Sequence, residues 1–188
     1  MKVVDVIVIL IIAFIILFFI KNHYGEVEYV KSSVDDRYYL VRKLPDSQKA
    51  ADYLARINKK LAFLARHMIA KFDKSKDARR LYENYNPNAV SEGSANTGYT
   101  SYSVNKGEKI VLCIRQDNQD FVDENVVLYV AIHELAHIMT KEIGHTETFS
   151  RNFKFLLEEA ITLGLYKKID FNKNPQNYCG IKITSSII

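Results

Sequence analysis

Residues 132–149 read Ile-His-Glu-Leu-Ala-His-Ile-Met-Thr-Lys-Glu-Ile-Gly-His-Thr-Glu-Thr-Phe. His133 and His137 stand four apart, so a helix places both imidazoles on one face, where they can serve one ion. Zinc takes neutral imidazole nitrogen, and a catalytic zinc uses three protein ligands with a fourth position open. Glu134, between the two histidines, is placed to act as general base toward a water activated by the ion. The chain has 5 histidines in 188 residues, so this spacing is hard to reach by chance. Asp123 is a suitable N-cap, and residues 124–140 carry no glycine or proline. The stretch is therefore expected to be one helix, packed inward through Val126, Val127, Val130, Leu135, Ile138 and Met139.

Three residue types compete for the third ligand. His145 follows Gly144, which permits a backbone turn that folds the chain back after the helix. Thr146 then caps a second helix with Phe149, Phe153, Leu156, Leu157, Ala160 and Leu163 on its apolar side. Glu158 or Glu159, on that helix, is a carboxylate alternative. Cys113, on a strand ahead of the motif, is a thiolate alternative of the kind used by peptide deformylases. His67 is isolated from the motif and is expected in a surface or capping role.

Upstream, Arg37 to Arg42 reads as an extended segment stopped by Pro45. A long helix is expected from Asp46 or Ser47 to Phe72, with Leu54, Ile57, Leu61, Leu64, Met68 and Phe72 in one buried stripe. A shorter helix spans Asp77 to Tyr85. Residues 86–100 are turn-rich and read as a loop. Residues 100–104 and 109–115 flank Asn105-Lys106-Gly107-Glu108 as a β-hairpin. Such an edge strand could line a cleft and pair with an extended peptide.

The first residues are apolar: Val6 to Ile20 run uninterrupted, and Val3 to Ile20 make eighteen with Asp5 included. That is the short end of a membrane span, and no small-residue cleavage site follows. The expectation is an uncleaved single-pass anchor contacting the membrane through residues 3–20. Lys21, Lys31, Arg37, Arg42 and Lys43 after it would turn the body toward the cytosol. The absence of an Asn-x-Ser/Thr sequon agrees, as do two cysteines, Cys113 and Cys179, too few for a disulfide framework. The formal charge is +4, with lysines dispersed rather than clustered, so nucleic-acid binding is not indicated.

HELAH, then Gly144-His145 with Phe149 four residues on, then Leu156-Leu157 and Ala160, resembles the WLM and SprT-like metalloproteases. Tyr129 to Ile183, with GLYKKIDF and Asn174-Pro175-x-x-Tyr178-Cys179-Gly180, is most similar to WLM-type proteins of large DNA viruses. The likeness reaches back through RYYLVRKLPDSQKAADYLA and KGEKIVLCIR. It implies His133, His137 and His145 as ligands of one zinc ion, Glu134 as catalytic acid/base and a protein or peptide substrate. Seven residues separate His137 from His145, more than in cellular WLM members, whose action on DNA–protein crosslinks does not carry over.

The expected architecture is α+β: an N-terminal transmembrane helix (1–22), a linker and extended segment (23–45), and a minimal zincin-like metalloprotease domain (46–188). Within the last, a long packing helix, a hairpin or small sheet, the His-Glu-x-x-His helix and a C-terminal helix follow in order. A tyrosine, from among Tyr99, Tyr102, Tyr166 and Tyr178, could assist the oxyanion. Two other functions stay open: a non-proteolytic zinc hydrolase using Cys113, and a catalytically silent zinc-binding membrane protein.

Overall fold

The computed structural model describes residues 3–94 and 100–188. Among these the fold is mixed α+β, in the order α1 (Val3–Tyr24), β1 (Val27–Lys31), β2 (Tyr38–Arg42), α2 (Ser47–Lys71), α3 (Lys76–Asn84), β3 (Val90–Glu92), β4 (Ser101–Val104), β5 (Lys109–Leu112), α4 (Glu124–Met139), α5 (Glu147–Thr162), β6 (Gln176–Tyr178) and β7 (Ile181–Ile183). The main sheet has strand order β1-β2-β3-β5-β4. β1–β2 and β5–β4 pair antiparallel, whereas β2–β3 and β3–β5 pair parallel. The central strands are thus the parallel ones, with β3 and most of β5 buried and β2 alternating, and β4 is an edge among the described residues.

α2 forms as its apolar spacing dictates. Leu54, Ile57, Leu61, Leu64 and Met68 are buried along one stripe. This face packs on β1, β2 and β3, on α3, and on α4 and α5 beside it. Asp46 stands at the N-cap but makes no side-chain capping bond. Its carboxylate instead forks onto Arg115, with Oδ2 to Nη1 and Oδ1 to Nη2 both at 2.8 Å. The hydrogen bonds from Arg115 hold the Asp46 carboxyl below its usual range. A depressed folded pKa gives stability that is present above about pH 4 and lost as pH falls through the folded value. Asp46→Asn is therefore expected to lower the midpoint of urea unfolding at pH 7 and to make little difference near pH 2.

The transmembrane expectation is overturned. Among the described residues, no helix is long and apolar enough to cross a membrane. The residues read as an anchor do form α1. However, Asp5 breaks the apolar run near its start, and the fifteen residues from Val6 to Ile20 rise only about 22 Å at 1.5 Å each, against about 30 Å of hydrocarbon. The single-pass membrane placement and the cytosolic orientation derived from it fall together, and the membrane contact through residues 3–20 is left without the span it rested on.

Cys113 and Cys179 are also not a pair of separate thiols: they are joined by a disulfide across 66 residues of sequence. The argument for a cytosolic body from cysteine usage goes with that expectation. The bridge fastens the β6–β7 hairpin to the end of β5. Beside it, the buried Tyr178 hydroxyl shares a hydrogen bond of 2.6 Å with the Ser101 hydroxyl and donates to the Cys113 carbonyl at 2.9 Å. Both ends of the β4–β5 hairpin's base are thereby held.

Candidate metal centre

α4 starts where its cap dictates. The Asp123 carboxylate accepts from the backbone amides of Asn125 and Val126, and Thr140 closes the helix after its 16 residues. Its buried face includes Val126, Val127, Leu135, Ile138 and Met139. Gly144 then adopts φ +87°, a left-handed conformation that an L side chain rarely takes. The turn folds the chain back, and Thr146 caps α5 by accepting from the Phe149 amide.

The consequence is convergence. His133, His137 and His145 are the group of metal-capable side chains found among the described residues, with ligand atoms all within 4.8 Å of one another. His133 Nε2 lies 3.1 Å from His137 Nε2 and 3.1 Å from His145 Nε2. One ring nitrogen carries either one proton or one in-plane lone pair, so it cannot pair well with both neighbours. A cation answers all three lone pairs at once. A tetrahedral zinc with bonds of about 2.0–2.1 Å would set its nitrogens about 3.3 Å apart, so the donor set fits zinc in type and spacing. Burial, reinforced by the neighbouring imidazoles, pulls the His133 pKa down to about 3 and that of His137 down to about 4. Both rings are therefore neutral donors at physiological pH.

Beneath the imidazoles lies an aromatic floor. Phe149, 3% exposed, stacks on His137 with centroids 4.3 Å apart, and its ring centroid is 4.7 Å from His145 and 4.8 Å from His133. Phe153 meets His133 edge-on at 5.1 Å. These two residues read in the sequence as the apolar side of a helix, which they are. Their second use, orienting the three rings, depends on how α5 crosses α4, and spacing along one helix carries no signal of that.

Glu134, between the first two histidines in sequence, reaches the edge strand β4. It is buried, and both the hydroxyl and the amide of Ser103 on β4 hydrogen-bond to its carboxyl. Burial pushes that carboxyl up to about 7, against the opposing pull of the Ser103 bonds.

The other sequence candidates lie elsewhere. Glu158 is exposed on α5, with Lys154 as a loose partner at 3.9 Å. Glu159 accepts from Lys71 Nζ at 2.9 Å and lies 2.7 Å from His67 Nε2. His67 is thus neither free on the surface nor a cap; it ties α2 to α5. Cys113 is held in its disulfide. Of the tyrosines, Tyr166 and Tyr178 are buried, the former accepting from the Ile169 amide and the latter bonded to Ser101. Tyr102 is on β4, half-buried, and Tyr99 lies outside the described residues.

The site thus brings together a helix bearing two histidines, a third histidine returned by a glycine turn and a carboxylate set against an edge strand. The chain belongs to the WLM family: the WLM domain model matches residues 33–186. An uncharacterised protein of Acanthamoeba polyphaga mimivirus is 33% identical over 191 residues, covering 99% of this chain and 97% of that one. An uncharacterised protein of Invertebrate iridescent virus 6 is 36% identical over 97 residues, covering 50% of this chain and 53% of its own. Among solved structures, Wss1 from Saccharomyces cerevisiae aligns with a TM-score of 0.47 at 17% identity, over 66% of this chain and 87% of that one.

Proposed function

We propose that this protein is a zinc-dependent peptidase, in which His133, His137 and His145 hold one ion and Glu134 is the general base and acid. The observation that carries the reading is the meeting of three Nε2 atoms, two of the three separations being 3.1 Å, next to a buried carboxylate. When bound, zinc supplies Lewis acidity toward the scissile carbonyl and lowers the pKa of water to about 7. Glu134 takes the proton of the attacking water and hands it to the leaving amine. Ser103 holds the Glu134 carboxyl in place for both transfers. β4, with no strand on its outer side among the described residues, aligns an extended substrate by main-chain hydrogen bonds. A peptide or protein is the substrate that such an edge accepts, since main-chain pairing asks for no particular side chain.

The deformylase-like reading needs a thiolate that Cys113, in its disulfide, does not offer. A silent zinc site has no use for a buried carboxylate beside the donors. Metal content by atomic spectroscopy tests the proposal. The wild-type chain is expected to hold about one zinc. His145→Ala is expected to lose it under chelator competition, whereas Glu158→Ala retains it. A metal-free wild type, or a stronger effect of Glu158→Ala than of His145→Ala, would sink the ligand assignment.

A further inference from the structure

Lys106 occupies a costly position. It sits in the turn of the β4–β5 hairpin with φ +57°, next to Asn105 at φ +46° and Gly107 at φ +116°. A left-handed conformation is costly for a non-glycine residue, and such outliers persist where the surroundings over-determine them. Here they do. The Gly107 amide bonds to the Val104 carbonyl, the Asn86 amide bonds to the Gly107 carbonyl, and Asn105 Nδ2 bonds to Glu108. Gly107 is itself obligatory, because a Cβ there would run into the Asn84 carbonyl oxygen.

The turn aims Lys106 at the end of α4. Its ammonium makes three bonds: to the His137 carbonyl at 3.0 Å, the Thr140 carbonyl at 2.9 Å and the Glu142 carbonyl at 2.6 Å. An ammonium has three donors, so its capacity is filled. Arg80 takes the adjacent Met139 carbonyl at 2.7 Å. A cation at a helix C-terminus is ordinarily an end-cap. What sets Lys106 apart is the span of its partners. One belongs to a histidine of the cluster, one to the residue that closes the helix, and one to the turn only three residues before His145.

We propose that Lys106 is a positioning residue for the metal centre: it locks the outgoing turn to α4 and so fixes His145 relative to His133 and His137. This rests on the three-histidine reading. Groups that orient metal ligands without touching the ion commonly govern affinity by about 10–100-fold.

The test uses the full chain. Zinc affinity is measured by competition with a chromophoric chelator, and the Co²⁺-substituted protein is read by its visible spectrum, which responds to the number of ligands. Lys106→Met is expected to weaken zinc by about 10–100-fold. Its Co²⁺ spectrum should shift toward that of His145→Ala. Lys106→Arg keeps the charge, but a planar fork cannot direct three donors onto convergent carbonyls, so it should shift both readouts the same way, by less. It also serves if the methionine variant fails to fold. A simple end-cap would lower thermal stability and leave both metal readouts of the folded protein unmoved. A folded variant with wild-type zinc affinity and spectrum overturns the inference alone; a wild-type chain that takes up no metal overturns the three-histidine reading, and the inference with it.

Discussion

Glu134→Gln is expected to cut peptide cleavage by about 10²–10⁴-fold while leaving the metal content at the wild-type level. Glutamine has nearly the same shape and keeps an oxygen for the Ser103 hydrogen bonds, so β4 and α4 stay in register. What it loses is the ability to accept a proton from water and return it to the amine. The separation of the two measurements is the point: an amide cannot serve as a base, yet it does not disturb three imidazole donors. The rate loss corresponds to about 3–5 kcal/mol of transition-state stabilisation. Cleavage within tenfold of wild type, on a peptide whose turnover chelation abolishes, would remove Glu134 from the chemistry. Loss of metal together with activity would instead make it a structural support of the centre.

The metal helix was legible from sequence because everything that makes it is local. Its cap, its apolar stripe, the four-residue histidine spacing and the glycine turn before His145 all lie within 23 residues, Asp123 to His145. α2, α3, α5 and the β4–β5 hairpin were readable for the same reason. The failures are of two physical kinds. β3 has only three residues, Val-Ser-Glu, inside a polar stretch, and is a strand because β2 and β5 flank it. β1, β6 and β7 are likewise short strands made by their partners, and β1 lies in the stretch read as linker. The Cys113–Cys179 bridge depends on β6 reaching the end of β5, a meeting that no local pattern encodes. In α1 the error was one of length, since a near-continuous apolar run does not by itself meet the thickness of a bilayer. The aromatic floor and the Lys106 clamp were hidden because each belongs to one element and acts on another.

Arg115→Met is expected to destabilise the fold by about 3–5 kcal/mol, the second large effect. Arg115 is 4% exposed and lies just beyond the end of β5. Its guanidinium binds Glu92 Oε1 through Nε at 2.8 Å, Asp46 in bidentate fashion, and the Gln119 carbonyl, with the Phe121 ring 4.2 Å from its centre. Methionine fills much of the volume but strands the Glu92 side chain, which is 1% exposed, without its cation. Among the described residues Glu92 would retain the Arg42 amide, bonded to its other oxygen at 2.8 Å. An uncompensated buried carboxylate is far more costly than the net worth of the pair it came from. Hence the second arm: Arg115→Met combined with Glu92→Leu should recover a large part of the loss, because the stranded charge is gone. Urea unfolding with the disulfide intact measures both, and for a body of this size the single variant should melt roughly 6–20 °C lower. A single variant within about 1 kcal/mol of wild type, or a double variant as unstable as the sum of its parts, would contradict the account. The consequence reaches the site, because Arg115 and Glu92 stand at the ends of β5 and β3. These are the strands on which the β4 edge hangs, so an unpaired charge there should loosen the wall that Ser103 presents to Glu134.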